Sequence, residues 1–278
     1  MTLQQLLTEG KEYLRQCEIT DFELDACLLL FHVFGIDRGA YFLRQQEIVS
    51  QEKEEKYRTL LAKRGKHIPL QHITGYTEFM GLDFHVNEHV LIPRQDTETI
   101  VEEVLRSCEE KRVLDMCTGS GCIAVSIAKL GKPHSVTAVD VSDKALQVAI
   151  ENAKINHVPV DFIKSDLFEK CMGKFDIIVS NPPYIETKEL EMLMPEVRDY
   201  EPRLALDGKA DGLYFYRRII EKAPDFLLDK GSIFFEIGYN QREDVSLLLE
   251  KQGFSQIECK KDLAGLDRMV SAVWKKGI

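Results

Sequence analysis

Features that would place the chain in several other protein classes are missing from its 278 residues. No apolar run approaches the length of a membrane-spanning helix, and the N-terminus lacks the basic-then-apolar order of a signal peptide. The seven cysteines include no C-x-x-C pair, and the seven histidines show no metal-ligand spacing. We therefore expect a cytoplasmic protein with free thiols, no membrane anchor and no metal site.

An excess of basic residues is also absent. The formal net charge is −10, from 36 Lys and Arg against 46 Asp and Glu. This balance argues against a broad nucleic-acid groove, so no direct binding to nucleic acid is expected. With 44% hydrophobic and 29% charged residues, the chain is long enough for one large globular domain and a smaller one.

The first 72 residues have the apolar spacing of a small helical bundle. Two stretches, Thr2–Gln5 and Thr20–Glu23, have the pattern of capping boxes. Gly35 breaks the second helix, and Ser50 opens a later one. From these residues alone, partner recognition and a stabilising cap are both open as the role of this segment.

A change of pattern follows between residues 73 and 90. Tyr76–Met80 and Leu82–Val86 alternate around Gly81, as the strands of a β-hairpin do. The predicted domains are therefore a helical domain at 1–72, a hairpin linker at 73–90 and a larger domain at 91–278.

The larger domain begins with the pattern of a doubly wound α/β fold. Lys111–Met116 predicts a strand, Cys117–Gly121 a Gly-rich loop and Cys122–Leu130 a helix. The next strand ends at Asp140, about 20 residues after the loop, where an acid binds a ribose diol in such folds. A third strand ends at Asp166. Polar residues therefore follow successive strands at one predicted ligand edge.

The fourth strand runs directly into Asn181, Pro182, Pro183 and Tyr184. Prolines carry no N–H, so the carbonyls of Asn181 and Pro182 are free to accept hydrogen bonds from a ligand. The Asn181 side chain adds another acceptor, and Tyr184 adds an aromatic wall. These acceptors suit an –NH2 group. The alternative interpretation is that the strand simply continues into a loop and that the prolines only end the strand.

Two cofactors are compatible with the Gly-rich loop. The third glycine position of a dinucleotide loop falls on Ala124, a tolerated alternative, so the spacing does not exclude NAD. No Cys–His or Tyr–Lys pair that could serve hydride transfer follows the strands. The acceptor site at Asn181 does follow one of them, and it suits an amine-type nitrogen instead. S-adenosylmethionine fits better, with Asp140 for the ribose and the loop for the amino acid moiety.

A set of short motifs spans nearly the whole chain. They are Pro69–Gly75, Leu91–Arg94, Thr97–Glu98, Asp115–Gly121, Asp140, Ser180–Tyr184, Glu201–Pro202, Ala205–Leu206, Glu236–Gly238 with Gln241, and Asp262–Gly265 with Asp267 and Arg268. The set resembles the HemK/PrmC-type protein-glutamine methyltransferases. That family methylates the side-chain amide of the glutamine in the Gly-Gly-Gln motif of class-1 peptide chain release factors, which supports translation termination.

The resemblance implies a Rossmann-like class I S-adenosylmethionine-dependent methyltransferase domain, with a seven-stranded sheet whose last strand is antiparallel. A glutamine side chain is common, so we expect residues 1–72 to recognise the protein substrate. Asn181 and Pro182 are the implied catalytic residues, and Pro183 and Tyr184 complete the substrate site. The implied cofactor-binding residues are Cys117, Thr118, Gly119, Ser120, Gly121, Asp140, Asp166, Leu167 and Asn181.

Two residues depart from the family pattern. Cys117 stands where the first glycine of the loop is usual, and Gln95 stands where a second proline is usual. Cys117 fits its position if its φ is negative. Asn-Pro-Pro-Tyr is shared with methyltransferases that act on the exocyclic amines of DNA or RNA, so that activity is the alternative function. A cofactor-binding protein without catalysis is a third.

Overall fold

The computed structural model describes residues 1–276, which divide into two units. The first unit consists of Met1–Gly75 together with Met194–Tyr200. The second unit consists of Tyr76–Leu193 and the described residues from Glu201 onward. Within residues 1–276, no single helix is long and apolar enough to span a membrane. The second and third helices would reach that length and hydropathy only as a pair bent by 81°.

The first unit is helical, as the apolar spacing predicted. Its leading helices are α1 (Leu3–Gln16), α2 (Phe22–Phe34), α3 (Arg38–Arg44), α4 (Gln51–Arg64) and α5 (Leu70–Thr74). Thr2 and Gln5 form the predicted capping box at the start of α1. The second predicted capping box is wrong. The N-cap of α2 is Asp21, which has a ψ of 35° instead of the extended backbone of a capping residue, and its side chain caps no N–H.

The second unit alternates strands and helices. In chain order it contains β1 (Tyr76–Phe79), β2 (Leu82–His85), α6 (Glu98–Leu105), β3 (Arg112–Met116), α7 (Cys122–Leu130), β4 (Ser135–Asp140), α8 (Asp143–Ile155), β5 (Asp161–Lys164), β6 (Phe175–Ser180), α10 (Arg203–Leu206), α11 (Tyr214–Phe226), β7 (Leu227–Glu236), α12 (Arg242–Gln252), β8 (Ser255–Lys261) and β9 (Asp267–Val273). Short 3₁₀ turns occupy Gln95–Thr97 and Thr187–Met192, and α9 (Pro195–Tyr200) lies in the stretch that belongs to the first unit.

Seven strands form one mixed sheet in the order β5-β4-β3-β6-β7-β9-β8. Neighbouring strands from β5 to β7 are parallel, whereas β9 runs antiparallel to both β7 and β8. The predicted seven-stranded sheet with an antiparallel last strand is therefore confirmed. Because β3, β4 and β6 are parallel, their carboxyl ends lie at one edge of the sheet, where ligands bind in open α/β folds.

Both faces of this sheet are covered, which explains the nearly continuous apolar sequence of its central strands. On β6, Ile178 packs in a cluster with Tyr216 and Ile219 of α11. Its neighbours Ile177 and Val179 point to the opposite face, into a cluster that includes residues of α6 and α7. The core therefore fixes the register of β6 and, with it, the position of Asn181.

The hairpin of β1 and β2 belongs to the second unit and is not a free linker, contrary to the predicted boundaries. Phe79 and Phe84 are fully buried in the cluster against α6 and α7, with ring centroids 6.0 Å apart. The backbone of His85 also exchanges two hydrogen bonds with the Asn152 side chain, at 2.7 and 3.0 Å. Burial of two aromatic rings makes this hairpin part of the core.

The segment Met194–Tyr200 packs within the first unit, although its sequence position predicted the larger domain. The Arg64 guanidinium, which is buried, donates to Asp25 Oδ2 at 2.6 Å and to Glu196 Oε1 at 3.1 Å. The Tyr200 hydroxyl donates to the Lys66 carbonyl at 2.7 Å. The ion pair between Glu196 and Arg64 of α4 therefore holds this segment in the first unit, although its neighbours in sequence belong to the second.

The Gly-rich loop after β3 has an unusual backbone at Cys117. Its φ is 64°, so the condition under which a cysteine would fit this position, a negative φ, is not met. Gly119 and Gly121 also have positive φ values, of 56° and 80°. A Cβ in this left-handed region is sterically unfavourable, so Cys117 holds a conformation that glycine adopts more easily.

Replacing Cys117 by glycine should give a more stable protein than replacing it by alanine. Both changes remove the thiol, but only glycine relieves the Cβ strain. That strain costs about 1–2 kcal/mol, and the extra backbone entropy that glycine loses on folding offsets ~0.5–1 kcal/mol of it. In chemical denaturation, we expect the free energy of unfolding of the Cys117→Gly variant to exceed that of the Cys117→Ala variant by about 0.5–1 kcal/mol. Equal or lower stability would show that the loop is not strained here.

Candidate active site

A cavity lies at the carboxyl edge of the sheet within the second unit. The cavity and its open mouth hold about 1010 Å³ of space free of protein atoms. Of the predicted site residues, those that line it are Cys117, Thr118, Gly119, Ser120, Asp140, Asp166, Leu167, Asn181 and Pro183.

Asp140, at the end of β4, is held by backbone groups on both carboxylate oxygens. Oδ2 accepts from the Gly119 N–H and Oδ1 from the Ser142 N–H, each at 2.9 Å. Burial raises the pKa of Asp140, and the N–H groups of Ser142 and Gly119 oppose this shift. Because each oxygen has a second lone pair, the carboxylate can still accept hydrogen bonds from a diol.

Asp115 supports the loop from beneath, a role that the sequence analysis did not assign to it. Its side chain is fully buried, and its Oδ2 accepts from the Thr118 hydroxyl at 2.5 Å and from the Ala124 N–H at 3.2 Å. Burial raises the pKa of Asp115 to about 7. An aspartate inside an otherwise apolar strand was the available signal, because a buried carboxylate requires hydrogen-bond partners.

Gly121 does not line the cavity, although the resemblance implied a cofactor contact. It is the N-cap of α7, and a Cβ added to it would lie 2.9 Å from the Ala149 Cβ of α8. This separation is too short for two carbon atoms. Gly121 therefore permits the close packing of α7 and α8 behind the loop.

The far wall of the cavity contains Asp166 and Leu167. Arg218 of α11 donates to both oxygens of Asp166, at 2.9 and 3.1 Å. A bidentate pair of this kind fixes the orientation of the carboxylate. Asp166 is thus present in the cavity with a charge partner that the sequence did not indicate, but β5 ends at Lys164 and not at Asp166 as predicted.

The four residues after β6 divide between the cavity and the core. Asn181 and Pro183 line the cavity, whereas Pro182 is buried outside its lining. The Tyr184 hydroxyl donates to Glu236 Oε1 at 3.4 Å, and the Tyr184 carbonyl accepts from the Gln241 side chain at 3.0 Å. The substrate-binding roles of Pro182 and Tyr184 stay predictions, because their side chains do not line the cavity.

The stretch before α6 supplies another wall. Arg94 lines the cavity and donates to both oxygens of Glu201, each at 2.7 Å. The Glu201 side chain is 1% exposed, and burial raises its pKa against the opposing effect of Arg94. This pair joins two motifs that are distant in sequence and supports the adjoining wall residues Pro202 and Leu204.

The thiol of Cys117 is held neutral. Burial raises its pKa well above the ordinary value, and the nearby carboxylate of Asp140 adds to the shift. A reactive cysteine requires the opposite environment, one that stabilises the thiolate. The Cys117 side chain is therefore part of the packing around the loop.

Two protein-family models match the chain. The model described as "PrmC N-terminal domain" matches residues 5–75, and that described as "Methyltransferase small domain" matches residues 95–198. Among solved structures, a methyltransferase from Pyrococcus furiosus aligns with a TM-score of 0.55 at 18% identity, covering 71% of this chain and 91% of that one. The second unit therefore has the class I methyltransferase fold.

Full-length relatives are more closely similar. The release factor glutamine methyltransferase of Clostridium botulinum is 40% identical over 98% of this chain and 99% of its own length. The enzyme of the same name from Geobacter sulfurreducens is 42% identical over 97% of this chain and 95% of its own. With this identity over almost the entire length of both proteins, the chain belongs to the family of release factor glutamine methyltransferases.

Proposed function

We propose that the protein transfers a methyl group from S-adenosylmethionine to the side-chain amide nitrogen of the glutamine in the Gly-Gly-Gln motif of class-1 peptide chain release factors. The observation that carries the proposal is the presence of Asn181, an amide with an acceptor oxygen, in the same cavity as the Gly-rich loop and Asp140. Family membership supports the same reaction. The seven unpaired cysteines agree with action in the reducing cytoplasm.

The residues of the cavity fit S-adenosylmethionine. The Asp140 carboxylate would accept from the ribose hydroxyls through its remaining lone pairs. The loop from Cys117 to Ser120 would hold the amino acid moiety, and Asp166 with Leu167 would lie on the adenine side. When bound, the cofactor supplies a methyl group on a positively charged sulfur.

The chemistry required of the protein is mainly alignment and electrostatic stabilisation. An amide nitrogen is a weak nucleophile, because its lone pair is delocalised into the carbonyl group. Asn181 Oδ1 would accept one amide hydrogen, and this hydrogen bond strengthens as positive charge develops on the nitrogen. A second hydrogen bond to the Pro182 carbonyl stays a prediction, because Pro182 does not line the cavity. Alignment of two bound reactants lowers a barrier by ~7–11 kcal/mol. A strong base is not needed, since a methylated, protonated amide is a strong acid.

We further propose that the first unit recognises the release factor. A site that fits one glutamine side chain fits any, so selectivity requires contacts remote from the reacting atom. The first unit exposes apolar side chains at Phe42, Leu43 and Ile48, with exposures of 57%, 90% and 78%. Their burial against a protein substrate would contribute binding energy that holds the glutamine in place.

Substitution of Asp140 tests the cofactor site. Asp140→Ala should weaken the binding of S-adenosylmethionine by about 1.5–3 kcal/mol, the scale of hydrogen bonds to a charged group. Asp143→Ala is the matched control, because it removes a carboxylate three residues away whose side chain is exposed. Calorimetry that shows the same affinity for both variants would remove Asp140 from the site.

Substitution of Asn181 tests the acceptor role. Asn181→Ala should lower kcat by roughly 10²-fold or more while leaving cofactor affinity within a few-fold, because the acceptor acts mostly as charge develops. Asn240→Ala, at an exposed asparagine, is the control. Parallel losses of kcat and cofactor affinity in the Asn181 variant would contradict this role.

Substitution of Leu43 tests the recognition surface. Leu43→Ser should lower kcat/KM on an intact release factor by about fivefold or more, yet change the rate on a short Gly-Gly-Gln peptide little. Met172→Ser, at an 86% exposed methionine of the second unit, is the control. An equal effect on both substrates would argue against recognition by this surface. Deletion of the helices is a poorer test, because Met194–Tyr200 would lose the unit in which it packs.

A further inference from the structure

The orientation of the Asn181 amide decides whether the proposed site can work. Its Oδ1 and Nδ2 ends have nearly the same shape, but only Oδ1 can accept a hydrogen bond from a substrate –NH2 group. In the reverse orientation, two donors would face each other. Shape alone therefore cannot select the productive orientation, and a polar partner has to do so.

The partner of the Asn181 nitrogen is Thr97. Asn181 Nδ2 donates to Thr97 Oγ1 at 3.5 Å, and the Thr97 residue is only 2% exposed. A hydroxyl group can either donate or accept. Thr97 by itself would therefore accommodate both orientations of the amide.

Glu236, at the end of β7, removes this ambiguity. Its residue is 3% exposed, and its Oε1 accepts from the Tyr184 hydroxyl at 3.4 Å. Among the described residues, Glu236 Oε2 is buried without a hydrogen-bond partner, and the Thr97 side chain opposes the rise of the Glu236 pKa. An ionised carboxylate can only accept hydrogen bonds, so in a hydrogen bond between Thr97 and Glu236 the Thr97 hydroxyl must donate.

We propose that Glu236 is a positioning residue for methyl transfer. It takes the proton of the Thr97 hydroxyl, so Thr97 Oγ1 must accept from Asn181 Nδ2, and Asn181 Oδ1 is turned toward the substrate amide. The same carboxylate holds the Tyr184 hydroxyl and so fixes the chain that follows Asn181. The inference rests on the proposed function, because it assigns the acceptor to that reaction.

The protonation state of Glu236 should therefore control turnover. Burial raises its pKa from the ordinary range to about 7, while Thr97, Arg268 and Tyr184 oppose the shift and Asp96 adds to it. The Tyr216 hydroxyl of α11 donates to the Glu236 backbone carbonyl at 2.7 Å, and Cys122 of α7 interacts electrostatically with the Glu236 carboxyl group. Below a pH of about 7 the protonated carboxyl can itself donate to Thr97, and the constraint on Asn181 is lost. Turnover should fall as the pH drops through this value.

The kinetic test compares Glu236→Gln with Glu243→Gln, which makes the same change at an exposed position of α12. The Glu236 variant should lose about 10- to 100-fold in kcat on release factor, with cofactor affinity unchanged and without the acidic fall in its pH profile. The Thr97→Val variant should lose a similar factor in kcat. The Thr97→Ser variant, which keeps the hydroxyl, should retain most of the wild-type kcat. Wild-type kcat in Glu236→Gln, or an unchanged pH profile, would overturn the proposal.

A second measurement needs no substrate. The NMR signal of the Glu236 carboxyl carbon can be followed as the pH is varied. It is assigned as the carboxyl signal that disappears in the Glu236→Gln variant. The Thr97→Val variant should have a higher Glu236 pKa, because it lacks a donor. In the Thr97→Ser variant, the Glu236 pKa should be close to the wild-type value. A pKa that Thr97→Val leaves unchanged would overturn the proposal. If the wild-type protein modifies no release factor, the proposed function fails, and this measurement still decides the inference.

Discussion

The parallel pairing of β3 with β6 is the constraint on which the site depends. Met116 lies opposite Ser180 in this pair, and the Ser180 hydroxyl donates to the Met116 carbonyl at 2.7 Å. The next residue on one strand is Cys117, which opens the Gly-rich loop, and on the other it is Asn181. The two halves of the cavity are therefore brought together by backbone pairing in the core, and their separation is fixed before any ligand binds.

Buried and half-buried carboxylates surround this junction. Asp115, Asp140 and Glu236 each have a raised pKa because of burial, and each is held by N–H or O–H groups of neighbouring loops. Removing these charges from water is unfavourable, so their retention indicates a role in orienting the backbone and side chains around them. Asp115 orders the loop, Asp140 joins the loop to β4, and Glu236 organises the residues that follow β6.

Much of the second unit could be predicted from sequence, because its elements follow from local patterns. The helix Cys122–Leu130 has the predicted bounds, and the strand Ser135–Asp140 ends at the predicted residue, because local apolar runs mark these elements. Non-local features could not be predicted. The positive φ of Cys117, the packing of Met194–Tyr200 with Arg64, and the contact of Glu236 with Tyr184 all depend on residues distant in the chain. The roles of Asp115 and Thr97 were missed for the same reason.

The most direct test of the account is mass spectrometry of a class-1 release factor after incubation with the protein and S-adenosylmethionine carrying a labelled methyl group. We expect a gain of one labelled methyl group on the peptide that contains the Gly-Gly-Gln motif, with fragmentation assigning it to the glutamine side chain. An unmodified release factor, or transfer of the label to DNA or RNA in its place, would contradict the account.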